Sequence, residues 1–252
     1  LLSRRQRQMC IRDRDKGDHI FYGRVRKWMN QNLPAAVIQS FTMQNTMFSQ
    51  RKAVLHWRIV FPQFFSQRFA QQARQINNHY RGEALQRRQF ATSQLYPAAV
   101  RKQQMGGVAL PYELENTFNV TLNRACIVSL YTDEYQFTGG AHGMTVRTAD
   151  NWNLRTGRRF ALCDLFPRHR DCRQMILRQI ITQIARDPSS YFDNYRELVV
   201  QNFDPRRFYL TQDAVMVYFG LYEIAPYSSG MPVFAIPYEV DPAFVICRER
   251  ES

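Results

Sequence analysis

Lysine is almost missing from this chain: it stands only at Lys16, Lys27, Lys52 and Lys102, although 34 residues are basic against 21 acidic. The cations are arginines, a bias that a GC-rich genome produces without any selection for phosphate binding. Also missing is an apolar run near the roughly 20 residues that a bilayer-spanning helix needs, so no membrane span is expected. No charged-then-apolar segment of secretory type stands near the start, which by itself favours the cytoplasm. Cysteine is sparse, with five in 252 residues and neither a CxxC nor a close Cys/His cluster. That excludes the usual zinc patterns and leads to the expectation that Cys126, Cys163, Cys172 and Cys247 are scattered, reduced, partly buried thiols, again favouring the cytoplasm. There is no GxGxxG, no P-loop spacing and no serine in a nucleophile elbow, so neither a dinucleotide nor a P-loop site is indicated. Fixed-period repeats and low-complexity tracts are absent as well.

What is present suffices for a folded domain. With 45% hydrophobic and 13% aromatic residues, the chain can bury a full core in one or two domains. Its charge is uneven. Residues 51–102 hold ten Lys or Arg against the single Glu83, whereas residues 103–252 hold 15 against 17. The first residues raise a separate question. Ser3 to Arg14, SRRQRQMCIRDR, has the composition of a nucleic-acid arm, yet Arg4–Arg14 resembles the translation of a transposase sequencing adapter. Residues 1–14, Cys10 included, are therefore set aside from fold reasoning. Without them the chain carries 29 basic and 20 acidic residues, a net charge of +9.

Residues 15–36 show no periodicity and receive no assignment. From Val37 the sequence alternates, and VIQSFTMQNTMF and AVLHWRIVFPQF predict two strands joined by the turn SQRK. A helix follows, with Phe69, Ala73, Ile76, Tyr80 and Ala84 at three- and four-residue intervals. Residues 103–115, QQMGGVALPYELE, read as a loop. TFNVTLNRACIVSLYTDEYQF reads as a hairpin, TGGAHG as a tight connection, and Thr156-Gly157 as a turn before CDLF. DCRQMILRQIITQIARD is the strongest helix, N-capped by Asp171 and ended by Pro188. A shorter helix in YFDNYRELVVQNF, a hairpin about Gln212-Asp213 and a strand in PVFAIPYEV complete the reading.

The series YTDEYQFTGGAHG, NWNLRTGRRFALCDLF, FYLTQDAVMVYF, YEIAPYSSG and VFAIPY resembles the C-terminal domain of unknown function of the RsiV-like anti-sigma factors and of small clostridial proteins. The likeness runs from Thr117 to Tyr238. The preceding VFPQF and QINNHY resemble the domain that stands before it, found also ahead of the catalytic domain of certain peptidoglycan deacetylases. The resemblance implies a binding domain that works outside the membrane, since RsiV-like proteins bind lysozyme there and the deacetylases keep their chemistry in a separate domain. On that ground an extracytoplasmic location is implied, against the cytoplasmic one favoured by the cysteines. The implied partner is a protein or a cell-wall-related ligand.

Two stretches carry the candidate site. In TGGAHG, Gly139 and Gly140 let backbone amides approach an anion, and His142 is of the one side-chain type able to carry a proton near neutral pH; the bland alternative is a strand connection in which glycines supply positive φ. In YEIAPYSSG, Tyr222 and Tyr227 offer rigid contact area with polar tips, Pro226 limits the entropy lost on docking, and Glu223 is the one acid. Tyrosines that cap the core are the alternative there. A glycan hydrolase using Glu223 and His142 is the rival function, and it needs a second carboxylate facing Glu223, a position at which sequence alone does not place Asp133, Glu134 or Asp164. Weak nucleic-acid binding through Arg74, Arg81, Arg87 and Arg88 is a third, without any recognised motif for specific recognition. Neither a metal nor a cofactor is indicated. The fold expected is α+β, a largely antiparallel sheet with two main helices packed on one side. Its units are residues 37–116, a strand-helix unit, residues 117–240, the RsiV-like unit, and residues 241–252, a tail.

Overall fold

The computed structural model describes residues 33–106 and 110–247; the arginine-rich start with Cys10, the rest of 1–32, residues 107–109 and residues 248–252 lie outside it. Strands β1 (Val37–Ser49) and β2 (Lys52–Phe65) form a long antiparallel hairpin. Its two-residue tip, Gln50 and Arg51, has φ of 49° and 62°, the left-handed pair that a type I′ turn requires and that follows the strand twist. Along β2, Leu55, Trp57 and Ile59 are buried while His56 and Arg58 are exposed, the alternation of a sheet covered on one face.

Helix α1 (Ala70–Phe90) buries Ala73, Ile76, Tyr80 and Ala84, one stripe at helical spacing. Asn77 ties it to β2: its Nδ2 donates to the Phe64 carbonyl at 2.9 Å and its Oδ1 accepts from the Phe64 N–H at 2.7 Å. This clasp satisfies the β2 backbone beyond the point where β3 stops pairing with it, since their parallel ladder runs only from Leu55–Tyr112 to Ile59–Asn116. The Pro-Gln-aromatic step and the Ile-Asn pair are thus two halves of one strand-to-helix joint. After Phe90 the helix widens into a π-type turn, Ala91–Leu95, before α2 (Tyr96–Gln104). Pro97 cannot donate to the Ser93 carbonyl and its ring presses on that turn. The Thr92 and Ser93 hydroxyls donate to the carbonyls of Arg88 and Gln89.

Residues 103–115 are not one loop. They include the end of α2 and the start of β3 (Tyr112–Arg124), because Tyr112 to Glu115 pair with β2 on one side and Glu113 onward with the next strand on the other, long-range partners that local composition does not reveal. Strands β4 (Ile127–Phe137), β5 (Met144–Asn153) and β6 (Arg158–Arg159) continue the sheet. Six strands thus lie in chain order, antiparallel except for the β2–β3 step.

Helix α3 (Cys172–Ile184) begins at Asp171, which accepts from the Gln174 N–H at 2.9 Å. It ends before Pro188, which instead opens a 3-10 turn. Helix α4 (Tyr195–Asn202) leads into a three-stranded antiparallel sheet of β7 (Phe208–Leu210), β8 (Ala214–Tyr218) and β9 (Val233–Pro237), and α5 (Pro242–Ile246) follows. The architecture is α+β and mostly antiparallel.

One apolar core joins the two sheets, reaching from Phe64 and Ile76 through Ile127 and Leu130 to Val215 and Ile236. A smaller cluster under α1 and α2 contains Leu55, Trp57, Ile59 and Leu95. The seam between the sheets also has a polar lock. The Ser129 hydroxyl donates to Asn151 Oδ1 at 2.7 Å and accepts from the Leu210 N–H at 2.7 Å, while Asn151 Nδ2 donates to the Phe208 carbonyl at 2.8 Å. Both side chains are buried, so each bond satisfies a group that has no water to turn to.

The expectation of reduced thiols is corrected. Cys126 is bonded to Cys247 and Cys163 to Cys172, with Cα separations of 5.8 and 5.7 Å. The first bridge spans 121 residues of sequence and staples the tip of the β3–β4 hairpin to the end of α5. Fold proximity brings these thiols together, so linear spacing could not show the pairing.

Candidate functional site

The β4–β5 connection and the segment between β8 and β9 meet at the molecular surface. Gly139 and Gly140 turn the first loop, with φ of 91° and 109°, values that side-chain-bearing residues rarely adopt. Lys102 Nζ holds the loop from α2 by donating to the Thr138 carbonyl at 3.2 Å. His142 and Gly143 then bring the chain into β5. A side chain at Gly143 would meet the Tyr135 ring at 2.4 Å, so this position needs glycine for close approach and not for φ.

From the other side come Tyr222 and Tyr227. The Tyr227 ring lies on the His142 ring with centroids 4.0 Å apart and planes 20° from parallel, and its hydroxyl donates to the Gly143 carbonyl at 3.0 Å. Tyr222 reaches His142 Nε2 through its hydroxyl at 3.3 Å, and its ring centroid is 5.6 Å from that of Tyr227. Tyr222 is 49% exposed and has φ of 65°. A bulky residue in the left-handed region stores strain of order 1–3 kcal/mol. Pro226 directs the chain from Tyr222 to the short 3-10 turn Tyr227–Ser229 as its N-cap residue.

Glu223 belongs to the frame of this loop. Its carboxylate accepts from Arg207 Nη1 at 2.5 Å with both oxygens and from the Gly220 N–H at 2.8 Å, while Asn202 Nδ2 donates to its carbonyl at 3.0 Å. The carboxylates considered as its catalytic counterpart are occupied too. Asp133 takes a two-pronged bond from Arg147 at 2.7 and 2.6 Å. Glu134 pairs with Arg87 at 2.8 Å, and Asp164 accepts from the Ala161 N–H at 2.9 Å.

Sequence reading singled out Tyr222, Glu223, Pro226, Tyr227, Gly139, Gly140 and His142, and the fold gathers them in two contacting loops. It missed the tyrosines that extend from these loops, a platform of Tyr222, Tyr227 and His142, across the sheet. Tyr131, Asp133 and Tyr135 share the β4 face turned away from α1, and Arg147 pairs with Asp133 across the β4–β5 ladder. The Arg147 guanidinium lies 3.8 Å over the Tyr131 ring, whose centroid is 5.0 Å from that of Tyr209. Tyr218 donates to the Arg147 carbonyl at 3.2 Å, and burial pushes its hydroxyl pKa well above the usual range. The every-second-residue pattern YTDEY carries part of this signal, but the contributions of Tyr209 and Tyr218 depend on how the two sheets pack. Among the described residues, no group of three His, Cys, Asp or Glu side chains is placed to hold a metal ion.

Residues 48–145 match the family model described as Deacetylase PdaC, and residues 163–239 match the one described as Protein of unknown function (DUF3298). The PdaC match thus precedes the DUF3298 match along the chain. Two solved structures share the fold. One is a member of the DUF3298 family from Bacteroides fragilis, 18% identical, with a TM-score of 0.60, covering 82% of this chain and 92% of that one. The other is a DUF3298 family protein from Pseudomonas aeruginosa, also 18% identical and with the same coverage, at a TM-score of 0.53. No curated protein matches by sequence. The platform draws on both segments: Gly139, Gly140 and His142 fall in the PdaC match, whereas Tyr222, Glu223, Pro226 and Tyr227 fall in the DUF3298 match.

Proposed function

We propose that this protein is a non-catalytic binding module, RsiV-like in character, and that the platform of Tyr222, Tyr227 and His142 is its recognition surface. The observation that carries this reading is Tyr222. It is a half-exposed aromatic residue held at positive φ, with its ring beside Tyr227 and its hydroxyl on His142. Backbone strain that presents an aromatic ring to solvent has no use in core packing, and it is the kind of outlier found at ligand clamps. Stacked, pre-ordered rings lose little entropy on docking and are typical binding hot spots.

The occupancy of Glu223 by Arg207 and the Gly220 N–H supports binding over hydrolysis, because a general acid must be free to give its proton to a leaving group. The partner class is a protein or a cell-wall-related ligand. The two disulfides support work in an oxidising compartment outside the cytoplasm. Specific nucleic-acid recognition is not part of the reading: Arg87 of α1 is bound to Glu83 and Glu134, and Arg74, Arg81 and Arg88 form an exposed face.

The test pairs two variants in sedimentation with purified cell-wall sacculi and pull-down from an envelope fraction. Tyr227→Ala weakens the retained interaction by more than about 1 kcal/mol with the circular dichroism spectrum unchanged, and Glu223→Gln leaves turnover of glycan and peptide panels at the background seen for the wild type. Turnover by the wild type that Glu223→Gln abolishes, with the fold intact, would replace this reading by the hydrolase one.

A further inference from the structure

A second surface lies on the far side of the small sheet. Strand β9 is an edge, since the order is β7-β8-β9, and α3 runs beside it, leaving a cavity of about 460 Å³ lined by Arg178, Thr182, Gln183, Arg186, Ala235 and Pro237 among others. The Ala235 carbonyl accepts from Gln183 Nε2 at 2.9 Å, so it points away from β8. In an antiparallel ladder the N–H and C=O of one residue point to the same side, and the Ala235 N–H therefore faces this groove too. Phe234 and Ile236 are buried while Ala235 and Pro237 are exposed, leaving the groove wall low and the backbone within reach.

The charges that line the groove are of one sign. Arg178 and Arg186 line the groove and no carboxylate does. Arg178 donates to Gln174 Oε1 at 2.7 Å, which steadies the guanidinium without neutralising it, and Arg186 makes no ion pair among the described residues. Arg178 lies on α3 and Arg186 in the turn just past its end; eight residues apart in sequence, they are at most about 12 Å apart along the helix direction. An extended strand covers that distance in about four residues, so side chains at i and i+4, on one face of such a strand, reach both arginines together.

We propose that this groove binds an acidic peptide segment in extended form, added as a further strand on the β9 edge. Its backbone bonds to Ala235, and acidic side chains four residues apart meet Arg178 and Arg186. Strand addition supplies affinity through the main chain, and the arginines select the sequence. Pro237 lacks an N–H and closes one end of the edge, limiting pairing with chains of arbitrary sequence.

Fluorescence anisotropy with the intact, disulfide-bonded protein tests this. The probe is a labelled seven-residue peptide of valine and threonine with glutamate at its second and sixth positions. Binding is expected to weaken about tenfold or more in Arg178→Gln with Arg186→Gln, two exposed positions where the fold is unaffected. It is lost when the glutamates are replaced by lysine, and lost also when the amides facing the edge are N-methylated with the charges kept. Equal binding to the double variant, undiminished binding of the N-methylated peptide, or no binding of the acidic peptide at millimolar concentration would each overturn the proposal.

Discussion

The Tyr80 cluster and the Tyr222 cluster use the same kinds of side chain under opposite conditions. Tyr80 is buried between α1 and the sheet, where its hydroxyl donates to Asp150 at 2.6 Å and accepts from Trp152 Nε1 at 2.8 Å. Arg159 closes the same network on the other Asp150 oxygen at 2.6 Å. Tyr222 has a distorted backbone, half its surface in solvent and one 3.3 Å contact to a histidine. In the first cluster every polar group is answered internally, so its chemistry is consumed by folding. In the second, a half-exposed ring is left over. The difference teaches where to look for function: at aromatic residues whose geometry costs energy that packing does not return.

That contrast can be broken in a definite order. Tyr80→Ala removes a buried ring and its two hydrogen bonds, and should destabilise by about 3–5 kcal/mol in denaturant unfolding; a loss below about 1 kcal/mol would mean that the network is not structural. Replacing Cys126 and Cys247 together by serine should cost about 2–4 kcal/mol, because the bridge closes a long loop of the unfolded chain, and oxidised and reduced protein should differ by a similar amount. Ser129→Ala leaves the Leu210 N–H and the Asn151 oxygen buried without a partner, for an expected loss of about 1–3 kcal/mol. At the platform the ordering reverses, and Tyr222→Ala should change stability by less than about 0.5 kcal/mol, since alanine keeps the Cβ that makes a φ of 65° costly.

The smallest effect is a pH dependence. Burial, followed by the charge of and bond to Asp150, pushes the Tyr80 hydroxyl well above its ordinary value. Its folded pKa thus exceeds its unfolded one, near 10. The stabilisation is fully present below about pH 10 and falls as pH rises from there toward the folded value, while the unfolded chain releases the proton first. Tyr80→Phe should have a shallower alkaline stability profile than the wild type.

Much of the frame was legible because short-range patterns carried it. The alternation of VLHWRIVF, the helical stripe from Ala73 to Ala84 and the Asp171 cap each have one local solution. The Cys126–Cys247 disulfide, the strand beginning at Tyr112 and the Ser129–Asn151 lock were not legible, since each depends on partners far away in sequence, while the Cys163–Cys172 bridge, nine residues apart, carried no recognised spacing motif. Cys126 and Cys247 are 121 residues apart, and Ser129 meets Leu210 across the seam of two sheets. The two candidate loops lie between these cases. Glycines and tyrosines marked them as unusual, but only the fold stacks Tyr227 on His142 and turns Glu223 toward Arg207.

The most direct measurement is site-specific photo-crosslinking from the platform. A benzophenone side chain placed at position 222, with position 85 on the exposed face of α1 as control, is irradiated in the presence of the envelope fraction. A discrete adduct from position 222, absent from position 85 and competed away by excess unlabelled wild-type protein, is the predicted result. No adduct, or the same adducts from both positions, would contradict the claim that Tyr222 and Tyr227 form a recognition surface.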